Sequence, residues 1–139
     1  MATNTARIRT RATTFLIAVG AVSAGVHAGL APEHLHESPP LGAAFLVAAM
    51  ALATAVTALS LRPSRTAVVR LLGALLAAVA SAYAVTRLTA VPPLDPSRES
   101  LDVLGVGTSS LEALGFLVAA RIGRRQRGLS LAVTTGGTA

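Results

Sequence analysis

Four long apolar stretches, separated by short polar ones, organise the chain. Residues 12–30 carry no formal charge and hold His27 near their end. Residues 41–61 are wholly uncharged. Residues 67–91 have Arg70 and Arg87 near their two ends, and residues 101–120 have Asp102 at one end and Glu112 in the middle. A helix rises about 1.5 Å per residue, so about 20 apolar residues cross the roughly 30 Å of bilayer hydrocarbon. Each stretch meets that length. Backbone amides find no partner in lipid, so the stretches are expected to be helices. A β-barrel is excluded because no alternation of period two appears. The expected fold is all-α: an integral membrane four-helix bundle with short loops.

The breaks carry helix-start chemistry. Ser38 before Pro39 reads as an N-cap and first helical residue for the second span. Ser64, after Arg62 and Pro63, starts the third. Asp95 with Pro96 starts a short lead-in to the fourth. The organisation is then an Arg-rich segment over 1–11, a four-span domain over 12–121, and a basic tail over 122–139, expected to be disordered.

Composition agrees. The chain has 139 residues, 53% hydrophobic and 13% charged, whereas soluble domains carry about a quarter charged residues. Mean hydropathy is +0.65. There is no cysteine, which removes disulfides and thiolate metal sites. All 12 basic residues are arginine, and their placement sets the orientation. Arg7, Arg9, Arg11, Arg62, Arg65, Arg70, Arg121, Arg124, Arg125 and Arg127 fall on one side of a four-span arrangement, leaving only Arg87 and Arg98 on the other. By the positive-inside rule both termini are cytoplasmic and the protein lies in the cytoplasmic membrane. A rival reading takes residues 1–28 as a cleavable signal peptide ending at Val26-His27-Ala28. The basic tail also has the composition to touch anionic headgroups.

Polar residues inside a membrane are costly and mark candidate function. At about 100° per residue, Asp102, Gly105, Ser109, Glu112 and Phe116 share one stripe of the fourth span. Gly73, Ala80, Tyr83 and Arg87 share a face of the third, and Gly20, Ser23 and His27 share one of the first. His27 and Arg87 sit roughly 6 Å below the outer boundary, Tyr83 roughly 12 Å and Glu112 roughly 15 Å. Tyr83, Arg87, Asp102 and Glu112 are therefore expected to line an outward-opening polar pocket. Asp102 pairs with Arg87 in this reading, and Tyr83 is the expected partner of Glu112. The competing reading is interhelical glue, with Arg87 snorkelling to the interface. Ala21, Gly25 and Gly29 form a small-residue ridge opposite His27, which makes a homodimer or larger membrane complex a candidate state.

All three histidines lie in HAGLAPEHLHESPP, residues 27–40. Within this reading the stretch is a turn, with Pro32 opening a short interfacial helix and Glu33 at its positive end. His27, His34 and His36 are candidate ligands for a divalent cation such as zinc or copper, although no HExxH-type signature accompanies them. Solvated or pH-sensing histidines are the alternatives. No phosphate loop, nucleophile elbow or haem motif is present, so neither enzymatic activity nor a cofactor is expected. The expected partner is the lipid bilayer, and no nucleic acid.

The residues PEHLHE (Pro32 to Glu37), Pro40-Leu41-Gly42, RPSR (Arg62 to Arg65), Thr86-Arg87, Pro92-Pro93 and the spaced acids Glu99, Asp102 and Glu112 resemble a family of small actinobacterial four-span membrane proteins. The resemblance covers about residues 15–120. The family has no established function, so it implies fold and location. It also implies that the acids, Arg87 and the PEH segment form one constellation. The family is richer in aromatics after the PEH segment and in the third span, where this chain has Leu35, Ser38 and Tyr83. The functional expectation is an accessory or binding component with an outward-facing polar pocket. The alternative is a small metal-cation or proton-linked transporter.

Overall fold

The computed structural model describes residues 2–89 and 102–135, with side chains described over 7–89 and 102–124. The described residues form four helices and no strand: α1 (Ala2–Glu37), α2 (Pro39–Leu61), α3 (Thr66–Leu88) and α4 (Val103–Thr135). Each contains a segment long and apolar enough to cross a membrane, which makes the chain a multi-pass membrane protein. Large apolar side chains such as Val47, Met50, Leu71 and Leu117 are exposed on the outer surface. In a bilayer such a surface is solvated by lipid.

The helices run up and down in turn. α1 packs on α2 and α3 on α4 as antiparallel hairpins, and α1 also touches α4 and, diagonally, α3; α2 and α4 do not meet among the described residues. The packed core is Leu16 and Val19 of α1, Leu52, Ala55 and Leu59 of α2, Val69, Leu72 and Leu76 of α3, and Ala119 of α4. These residues fill the half of the bundle that carries the arginine-rich connections. Close approach there depends on glycine. A Cβ at Gly73 would lie 2.6 Å from Ala119 Cβ, so a larger residue would push α3 and α4 apart.

Three boundaries differ from the hydropathy reading. First, residues 27–37 are not a turn. α1 continues through Pro32 to Glu37, and the α1–α2 connection is Ser38 alone. The Ser38 amide donates to the His34 carbonyl at 2.8 Å, and the Gly42 amide donates to the Ser38 carbonyl at 3.0 Å. Proline costs the helix one amide donor, to the Ala28 carbonyl, and membrane helices tolerate this. Ending the helix would orphan several groups instead. Second, Arg65, not Ser64, is the N-cap of α3. Third, α4 continues to Thr135, so residues 122–135 are helical where a disordered tail was expected. Apolarity marks where a membrane span stops; it does not mark where a helix stops. The Asp95-Pro96 lead-in, Glu99 and Arg98 lie outside the described residues.

Candidate functional site

At the end opposite the packed core the four helices splay around a cavity of about 670 Å³. Apolar walls come from all four helices, among them Val26, Leu30, Leu41, Ala48, Val79 and Leu104. His27, Glu33, His34 and Glu37 of α1, Tyr83, Thr86 and Arg87 of α3, and Asp102, Thr108, Ser109 and Glu112 on the α4 side supply the polar lining. The volume lies within the range of small-molecule sites, roughly 300–1,000 Å³.

Glu112 is the one buried charged-type group among the described residues, 1% exposed. Its Oε1 accepts a hydrogen bond of 2.6 Å from the Ser23 hydroxyl, so the partner comes from α1. Tyr83, the partner expected from the sequence, does not reach it. The buried Tyr83 hydroxyl has no hydrogen-bond partner among the described residues. Its ring instead packs where a Cβ on Gly105 would collide with it. The glycine of α4 is thus the slot that holds the tyrosine of α3.

His27 stands one turn above Ser23 on the same face. Its Nδ1 lies 2.9 Å from the Ser23 carbonyl oxygen. A carbonyl only accepts, so Nδ1 carries the proton, and in the neutral ring Nε2 is the acceptor. The same nitrogen is 4.0 Å from Glu112 Oε1. His34 repeats the arrangement two turns on, with Nδ1 donating to the Leu30 carbonyl at 2.9 Å. Phe45 of α2 stacks on His34 with centroids 4.3 Å apart and meets His27, tilted, at 5.3 Å. Two helical turns rise about 10.8 Å, so the phenyl ring fits between the two imidazoles.

Arg87 and Asp102 close the rim. Arg87 Nη2 donates to Asp102 Oδ2 at 2.9 Å, and the Arg87 side chain is 11% exposed against 48% for Asp102. The guanidinium also lies over the Tyr83 ring, 4.4 Å from its centroid. A snorkelling arginine would be exposed; this one is fixed between a ring and a carboxylate. Asp102 is not inside the fourth helix but immediately before it. Its Oδ1 accepts the Gly105 amide at 2.5 Å, an N-cap bond that also places negative charge at the positive helix end.

Tyr83, Arg87, Asp102 and Glu112 line one cavity, together with His27 and His34. His36 does not join them and is exposed. On a continuous helix residues 34 and 36 point about 200° apart, so the flanking spacing that reads as a metal loop in a turn is lost. No group of three or more His, Asp or Glu side chains among the described residues is placed to hold a metal ion. The three-histidine metal set is therefore not assembled. Phe116, placed on the polar stripe by spacing, is exposed. Phe45 and the Ser23–Glu112 bond were missed by sequence reasoning. The seven-residue spacing of His27 and His34 was the signal available for a shared face, and reading Pro32 as a helix start hid it. Compared with protein-family models, curated proteins and solved structures, the chain matches none.

Proposed function

We infer that this is a non-enzymatic binding or accessory component of the cytoplasmic membrane, with both termini cytoplasmic and a cavity that opens outward. One observation carries the reading: a ligand-sized cavity with the buried Glu112 carboxyl at its base. A carboxyl at membrane depth is expensive. Glue between helices accounts for a Ser23–Glu112 bond; it does not account for a cavity left beside that bond. The basic connections belong to the opposite, densely packed end, which the positive-inside rule assigns to the cytoplasm. A proton-linked transporter is the second reading, favoured by His27 lying 4.0 Å from Glu112.

The absence of cysteine makes the test direct. Ser109→Cys puts one thiol in the cavity wall, and Ser60→Cys puts one near the arginine-rich end. A membrane-impermeant thiol reagent added outside intact cells is expected to modify the first and spare the second. Modification of Ser60→Cys alone would overturn the outward opening.

A further inference from the structure

The lining of the cavity specifies the kind of ligand. Count first its formal charges. Glu33, Glu37, Asp102 and Glu112 are carboxyl groups, and Arg87 is the lone guanidinium among the described lining residues. Arg87 is already bound to Asp102 and stacked on Tyr83, so its charge is matched inside the protein. The lining is acidic in excess: Glu33, Glu37 and Asp102 are exposed and Glu112 is buried, so an anionic guest would meet like charge on entering.

Consider next the donors and acceptors at the base. Glu112 presents a carboxyl group whose Oε1 is held by Ser23. His27 spends its Nδ1 proton on the Ser23 carbonyl, which makes Nε2 of the neutral ring an acceptor. The ring of Phe45 stands beside it, 5.3 Å away. Aromatic faces and carboxylates both favour cations. Beside these groups, Leu30, Leu41 and Val79 offer an apolar wall. Acceptor-rich, acidic groups beside an apolar wall are complementary to a guest with N–H donors, positive charge and a greasy body.

We propose that the cavity binds amphipathic organic ammonium ions, primary to tertiary amines with an apolar body, the N–H directed to Glu112 and His27 Nε2. The apolar body lies along α1, α2 and α3, and the cation replaces neither Arg87 nor its pairing with Asp102. This rests on the reading of the cavity as an outward-opening binding site, and it adds the ligand class.

The probe is dansylcadaverine, a fluorescent primary amine with an apolar ring system, titrated into the purified full-length protein in a neutral detergent against protein-free micelles. Two controls isolate charge: N-acetylated dansylcadaverine, which keeps the body and loses the ammonium, and the anion 1-anilinonaphthalene-8-sulfonate. Saturable binding of the amine is expected, at least tenfold tighter than either control. Glu112→Gln is expected to weaken the amine by about tenfold and leave the acetylated probe unchanged. Should Glu112→Gln fail to fold, Ala48→Leu, which fills the cavity from α2, is expected to abolish amine binding. Equal or tighter binding of the controls overturns the ammonium assignment while the cavity stands as a binding site. No binding of any probe, with Ser109→Cys still modified from outside, overturns the ammonium assignment alone. No binding together with an unreactive Ser109→Cys overturns the outward-opening cavity as well.

Discussion

At the residue scale, the Ser23–Glu112 bond ties α1 to α4 at full burial. Deleting the hydroxyl strands a buried carboxyl oxygen, which costs about 1–3 kcal/mol in a water-soluble core. In membranes the interhelical average is nearer 0.6 kcal/mol, because the unfolded reference state also finds partners. Ser23→Ala is therefore expected to destabilise the protein by about 1 kcal/mol, read as a fall in thermal midpoint in detergent. Glu112→Gln is expected to cost less, because the amide oxygen still accepts from Ser23. A double-mutant cycle that pairs Ser23→Ala with Glu112→Leu, which removes the acceptor, should return a coupling near the Ser23→Ala cost; zero coupling would mean that the bond contributes nothing. The carboxyl at Glu112 was legible from its depth in an apolar span. Its partner was not, because sequence gives depth along each helix and the facing angle, never which neighbour stands opposite. Tyr83 and Ser23 both met those two conditions, and the glycine slot at Gly105 decides between them by drawing Tyr83 toward Arg87.

At the element scale, glycines with the same local propensity have opposite roles. A Cβ at Gly42 would collide with the backbone and side chain of Leu35, because the one-residue turn at Ser38 forces α1 and α2 together. Backbone cannot give way, so Gly42→Ala is expected to cost about 1–3 kcal/mol as an overpacked contact. Gly25 and Gly29 face open space, with nothing within 4 Å of an added Cβ. There alanine relieves glycine's helix penalty of about 1 kcal/mol, so Gly25→Ala is expected to leave the monomer as stable or more so. Chemical or thermal unfolding of the two variants side by side checks the contrast. A Gly25→Ala loss as large as that of Gly42→Ala would instead show that the α1 ridge packs against another subunit. The four spans themselves were legible from apolar length alone. The course of α1 through Pro32 was not, since proline signals a missing donor and a fixed φ, and either a helix start or a helix interior accommodates both.

At the scale of the whole molecule, charge and packing divide the bundle in the same place. The end bearing Arg7, Arg9, Arg11, Arg62, Arg65, Arg70, Arg121 and Arg124 holds the dry core and no acidic residue. Arg9 there donates through Nη2 to the Ser64 carbonyl at 3.1 Å, fastening α1 to the α2–α3 connection. The other end holds the cavity and its acids. The up-and-down order forces this division: odd and even connections alternate between the two ends. Arginine near span ends resists translocation, so the basic end is expected to stay in the cytoplasm. A fluorescent-protein fusion after residue 139 should fluoresce, and alkaline phosphatase at the same position should be inactive. Phosphatase inserted at the α1–α2 connection should be active. An active phosphatase at the C-terminus would invert the molecule and point the cavity into the cell. The basic-end arginines can be probed in the same assay. Replacing Arg62 and Arg65 with serine removes the charge of one connection but leaves the basic clusters at both termini, so the fusion pattern should hold. If it inverts, the α2–α3 connection sets the orientation, and the terminal arginines that outnumber it do not.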